Sequence, residues 1–193
     1  MTGKADLQAA LSGFAVSAAN CVFVDTRRAE PGQGSLLRAV HVRAWLHTYA
    51  GMIPDEVLHE RLLAVRNRDW EEVIRRRGEA GEGVLTLMNR DEVIGLCEFG
   101  PTEDEDDDPS LTGHVFRLFI DPSQQGRGGG QLLLEAACGD LRAAAKEEAT
   151  LWVFESDERA RRFYDHLGWR PDGGRHGVPA ADIRYRLDLR IPQ

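Results

Sequence analysis

A chain of 193 residues with 42% hydrophobic content can bury one sizeable core and hold one small accessory element besides. Its 24 Lys and Arg against 32 Asp and Glu give a formal charge of -8, which repels phosphate backbones and argues against nucleic acid as a partner. The odd, widely spaced Cys21, Cys97 and Cys138 have no zinc-ligand spacing and read as reduced thiols of a cytoplasmic protein, and no apolar run reaches membrane-spanning length.

In chain order, Leu7, Ala10, Leu11, Phe14 and Ala18 recur at helical spacing and predict an N-terminal helical extension over 1–20, packed on the domain or on a partner subunit. Cys21–Thr26 reads as a strand and Pro31–Gly34 as a turn. Ser35 is positioned to cap a helix whose apolar stripe is Leu37, Val40, His41, Ala44, Trp45 and Tyr49, ending at Gly51. Pro54 suits the first turn of the next helix, with Val57, Leu58, Leu62 and Val65 on one face; Trp70, Val73 and Ile74 continue the helical part as far as Gly78–Gly83. Val84–Met88 and Val93–Phe99 flank Asn89-Arg90-Asp91 as a hairpin. The acidic run Glu103–Asp108, between Pro101 and Pro109, predicts a solvated, mobile loop, because like charges repel; a calcium loop would need alternate-position spacing and a glycine.

The second half is richer. His114–Ile120 reads as a strand, Asp121-Pro122-Ser123 breaks it, Gln124–Gly130 is glycine-rich, and Leu132, Leu133, Ala136, Ala137, Leu141 and Ala144 form a helical stripe. A strand, glycine loop and helix in that order present backbone N–H groups and the positive end of a helix dipole, which suit a phosphate or pyrophosphate, and Arg127 adds a positive charge there. A Walker loop fails, since Gly130 is followed by Gln131-Leu132. A dinucleotide fingerprint started at Gly126 places Gln131 where a small residue is needed.

Gln125-Gly126-Arg127-Gly128-Gly129-Gly130 resembles the Gln/Arg-x-x-Gly-x-Gly/Ala pyrophosphate loop of the GNAT superfamily, the general acetyl-CoA-dependent N-acetyltransferases. Upstream, Leu118–Pro122 is similar to the end of that family's fourth strand; downstream, Thr150–Phe154 is similar to the fifth, and Asp157–Trp169 to its Asn-x-x-Ala-x-x-Phe-Tyr-x-x-x-Gly-Phe segment. The likeness covers roughly residues 21 to 190 and implies one N-acetyltransferase domain over 21–193.

What the resemblance implies is an α/β fold with a mixed sheet, whose parallel fourth and fifth strands splay so that acetyl-CoA inserts between them. Leu118, Phe119 and Ile120 would then meet the pantetheine arm, and Gln125, Gly126, Arg127, Gly128, Gly129, Gly130 and Gln131 the pyrophosphate. Asp157 stands where the family has a coenzyme-contacting Asn; it can cap a helix but cannot donate as an amide does, and Ser156 is an alternative cap. Tyr164 occupies the family's general-acid position, on an apolar face with Ala160, Phe163 and Leu167 that would bury a tyrosine in any case. His114 matches a strand-four base, and alternation would put it on one face with Phe116, Leu118 and Ile120; Glu98 is the second choice.

The expected reaction is direct transfer of acetyl from acetyl-CoA to the amine of a small molecule or peptide, without a metal. A non-catalytic acyl-CoA sensor and transfer through a cysteine stand as alternatives. Acceptor specificity is expected around Trp45, Tyr49, Met52 and Gly173–Ala181, and homodimer pairing through the late strands.

Overall fold

The computed structural model describes residues 24–78, 81–177 and 181–191, so the expected helix over 1–20 lies outside the described residues. The elements are β1 (Val24–Arg28), α1 (Gly34–Tyr49), α2 (Asp55–Asn67), α3 (Trp70–Arg76), β2 (Gly83–Asn89), β3 (Glu92–Pro101), β4 (Thr112–Ile120), α4 (Gly129–Ala143), β5 (Glu148–Phe154), α5 (Glu158–His166), β6 (Arg170–His176) and β7 (Asp182–Asp188). The strands form one seven-stranded sheet in the order β1-β2-β3-β4-β5-β7-β6. Every neighbouring pair is antiparallel except β4 and β5.

Helices cover both faces. On one, Leu37, Val40, Trp70 and Ile74 of α1 and α3 pack on Val84, Met88, Val93 and Leu96. On the other, Leu133, Leu134, Ala137, Cys138 and Leu141 of α4 pack with Tyr164 of α5 on Leu85, Leu87, Cys97, Phe99 and Val115. Each fully buried leucine contributes about 2 kcal/mol of apolar transfer energy, so the α4 stripe clamps the helix to the sheet. A third cluster, Trp45, Ile53, Leu62, Val65 and Phe154, seats α2 against the far end of β5.

Three local expectations change. Ser35 does not cap α1; the N-cap position falls two residues earlier, at Gln33, and the first helical N–H, on Gly34, donates to the Glu71 carboxylate at 2.6 Å. The acidic run is not free in solvent, because Asp104, Asp106 and Asp107 all accept from Arg184, and Asp107 also accepts from Arg186. Opposite charge supplied by β7 offsets the repulsion within the run.

The third change is a β-bulge. Glu98 faces Arg117 while Phe99 faces Val115, which leaves Phe116 as the extra residue of β4. Simple alternation therefore breaks there. Leu118 and Ile120 pack with Val115 on the α4 side, not on a common face with His114 and Phe116, and Phe119 turns toward α1 and α2.

Candidate active site

The parallel ladder between β4 and β5 runs only from Thr112/Glu148 to Val115/Leu151. Beyond that point the strands diverge, and β4 from Phe116 to Ile120 keeps β3 as its only sheet partner. The fork opens a cleft of about 620 Å³ lined on one side by Phe116–Ile120 and on the other by Trp152, Val153, Asp157, Ala160 and Tyr164. The β5-facing backbone groups of β4 thus stand along one wall, free to pair with an extended ligand.

At the outer end lies the glycine loop, of which Gln125, Gly126, Gly128, Gly129, Gly130 and Gln131 line the cleft. Gly128 is the N-cap of α4 with φ +82°, in the left-handed region where a side chain is strained. A Cβ on Gly129 would run into Leu87, so that glycine lets the helix end approach the sheet. The loop is braced from both sides: the Gln125 amide donates to the Ile120 carbonyl at 3.1 Å, and Arg159 of α5 donates to the Gln125 side-chain oxygen at 2.8 Å. Arg127 hydrogen-bonds Gln124 at 3.0 Å, and Gln131 bonds Glu135 one turn on. Arg159, which sequence reasoning passed over, joins the lining from across the fork.

Asp157 caps α5 itself, accepting from Ala160 N–H at 2.9 Å, so Ser156 is not needed for that role. Tyr164 sits in the cleft wall beside Phe163, Trp169 and Tyr185. Burial, with Tyr49 and Asp157 nearby, holds its phenol well above the ordinary tyrosine range, so it stays protonated at any physiological pH. Burial followed by Asp157 and Asp182 does the same for Tyr49.

Neither candidate base belongs to the cleft lining. His114 lies on the paired side of the fork, opposite Thr150 in register. Its Nδ1 is 2.8 Å from Thr150 Oγ1, and that hydroxyl is within 3.3 Å of the Gly113 carbonyl. If the hydroxyl spends its proton on the carbonyl, it must accept from Nδ1–H, which leaves the lone pair on Nε2. Burial pushes His114 down to about 4, with Asp104 pulling the other way, so the ring is neutral near pH 7. Glu98 has no exposed surface and accepts from Arg68 at 2.6 and 2.7 Å, from Arg77 at 2.9 Å and from Arg117 at 2.7 Å.

Around the acceptor side, Tyr49 and Met52 line the cleft, and Trp45 is buried against Tyr49. Gly173–Gly177 and Ala181 are described, whereas 178–180 lie outside the described residues. Cys97 and Cys138 are buried between the sheet and α4, with Cys138 pushed up to about 12 by burial, conditions opposed to a reactive thiolate. Cys21 lies outside the described residues. Among the described residues no helix is long and apolar enough to cross a membrane.

A splayed parallel strand pair with a glycine-capped helix at its mouth is the geometry of neither a dinucleotide fingerprint nor a Walker loop. The chain belongs to the acetyltransferase (GNAT) family, whose profile matches residues 42–169. It is 37% identical over 72 residues to a mycothiol acetyltransferase of Beutenbergia cavernae, covering 36% of this chain and 24% of that protein. It is 30% identical over 150 residues to a mycothiol acetyltransferase of Gordonia bronchialis, covering 70% of this chain and 45% of that protein. The chain thus spans less than half the length of these curated relatives. The PaiA N-acetyltransferase of Thermoplasma acidophilum, solved in complex with coenzyme A, superposes with a TM-score of 0.72 at 18% identity, covering 86% of this chain and 98% of that one, a likeness of fold.

Proposed function

We propose that this protein is an acetyl-CoA-dependent N-acetyltransferase, and that its domain spans 21–193. The observation that carries the reading is the fork itself: strand edges without a ladder partner lead from the Val115/Leu151 pair to a loop whose glycines and helix N-terminus suit a pyrophosphate. An extended pantetheine arm along Leu118, Phe119 and Ile120 would bring the thioester to the fork, and Arg159 would add positive charge beside the phosphates, with Arg127, outside the lining and bonded to Gln124, within the same loop.

Three demands follow for the chemistry: a neutral amine, stabilisation of the oxyanion at the thioester carbon, and a proton for the departing thiolate. We assign the proton to Tyr164, whose burial keeps it protonated. A backbone N–H on the open edge of β4 is the donor available to the oxyanion. His114, neutral and with Nε2 unprotonated, takes the amine proton, relayed by a water because the ring is set back from the cleft. Glu98 is assigned to hold its three arginines, since its oxygens are already occupied.

Release of free thiol from acetyl-CoA, measured against a panel of amines, tests the reading. Wild type should release thiol with some amine, and Tyr164→Phe should retain acetyl-CoA binding while losing turnover. Acetyl-CoA binding with no thiol release from any amine would instead favour a sensor. The mostly exposed edge strand β6 is where a homodimer would pair.

A further inference from the structure

Three guanidiniums converge on Glu98, but they do not share it equally. Arg77 also donates toward Glu82 at 3.4 Å and Glu103 at 3.3 Å, so it has carboxylates of its own. Arg68 and Arg117 have, among the described residues, only Glu98 between them. Arg68 and Arg117 thus set two positive charges against one negative charge locally, and the carboxylates that balance the whole cluster, Glu82 and Glu103, reach it only through Arg77.

The surplus has consequences nearby. Burial, Arg117 and Arg68, in that order, push the His41 ring down to about 3. Like charge on Arg117 works with burial to lower Arg68 itself. Arg68 Nε and His41 Nδ1 are both buried without a hydrogen-bond partner among the described residues. Neither residue lines the cleft, so the two atoms mark the crowding of this region rather than contacts to a ligand.

Arg117 also lines the cleft, directly after Phe116, the first residue beyond the last β4–β5 pair. Its side chain is 30% exposed, whereas Arg68, 24% exposed and with its Nε buried, does not itself line the cleft and acts on it through its charge. Phe116 and Phe119, its neighbours along β4, line the same cleft. The glycine loop with Arg159 already provides for coenzyme phosphates at the other end, which leaves this charge for the second substrate.

We propose that Arg117, with Arg68 beside it, forms a carboxylate subsite for the acceptor, so that the preferred acceptor is a small amine that itself carries a carboxylate, of the amino acid class. The inference rests on the acetyl-transfer reading. The excess at Arg68 and Arg117 is local and small, since the whole cluster is balanced, which suits a monoanionic carboxylate, a group that a guanidinium also fits geometrically, better than a phosphomonoester dianion. An amino acid moreover places its carboxylate within two bonds of its amine, matching a charged site beside the fork.

The test is thiol release by the full chain at saturating acetyl-CoA, with L-phenylalanine, L-methionine and L-glutamine each compared with its amide, and spermidine as an amine without a carboxylate. The acids should exceed their amides in kcat/KM by about ten-fold or more, mainly through KM. Arg117→Gln should bring each ratio near one while the protein still melts at a higher temperature with acetyl-CoA. Amides that match or surpass the acids in wild type overturn the subsite without any appeal to a variant. Thiol release with spermidine alone also overturns it but leaves acetyl transfer standing; no release with any amine removes both.

Discussion

The two ends of the cleft are built on different principles. At the outer end the ligand-facing surface is mostly backbone: a loop with Gly128 at φ +82°, a helix N-terminus and the open edge of β4. Behind the inner end stand side chains held by other side chains, of which only Arg117 lines the cleft: Glu98 with three arginines, Arg184 with Asp104, Asp106, Asp107 and Asp172, and His114 with Thr150. The comparison teaches that a backbone site accepts one shape of ligand and changes little with sequence. A site made of ion pairs can be re-aimed by one substitution. On the proposed reading the first end would seat the coenzyme and the second the acceptor.

The largest expected effect lies where the two ends meet. Tyr164→Phe should lower kcat by roughly 100-fold or more while the KM for acetyl-CoA changes little, because only proton donation is lost. A fall in acetyl-CoA affinity of the same size would make Tyr164 a packing residue. Arg184→Gln comes next and concerns folding alone. With its side chain 7% exposed among four carboxylates, its loss should cost about 3 kcal/mol and lower the denaturant midpoint.

A pH titration of stability sharpens the same contrast, since both buried histidines with lowered values belong to the inner end. His114 at about 4 and His41 at about 3 lie below their unfolded value, so the unfolded chain binds more protons as pH falls. Their contribution is complete above pH 6.5 and declines toward pH 4, by roughly 3 kcal/mol for His114. Urea unfolding at pH 7, 6 and 5 should show the decline, and His114→Gln should flatten it. Stability that is level across that range would contradict the burial account.

At the outer end, Gly128→Ala should raise the KM for acetyl-CoA about ten-fold with kcat nearly kept, because the left-handed turn costs about 1 kcal/mol and shifts the N–H groups. The smallest effect is expected at Thr150. Thr150→Val should lower kcat about five-fold by freeing the His114 tautomer, and Thr150→Ser should restore it. A five-fold loss in KM alone, or no rescue by serine, would make the hydroxyl merely structural.

The same contrast explains what was legible in the sequence. The β4–loop–α4 run and the α5 segment were read because their requirements are local: glycine where φ is positive, apolar residues at helical steps, a capping Asp. The α/β class and the splayed strands followed from family resemblance built on those two segments. The bulge at Phe116 escaped, since alternation counts assume an unbroken pleat, and with it went the expected common face of His114, Leu118 and Ile120. The Ser35 cap was displaced by Glu71 and the acidic loop was tied down by Arg184, each a partner distant in sequence. Glu98 reads from sequence as the second-choice base because its arginines come from the ends of α2 and α3 and from β4, which only folding brings together. Arg159 went unremarked for the same reason, as its partner Gln125 is on another element.

The central claim is that the fork seats acetyl-CoA, and thermal unfolding with acetyl-CoA, NADH and ATP in parallel tests it most directly. The account predicts a rise in melting temperature with acetyl-CoA alone, equivalent to ~2.7 kcal/mol at 100 times the dissociation constant, and smaller in Gly128→Ala at the same concentration. No rise with acetyl-CoA, or a rise only with NADH or ATP, would contradict it.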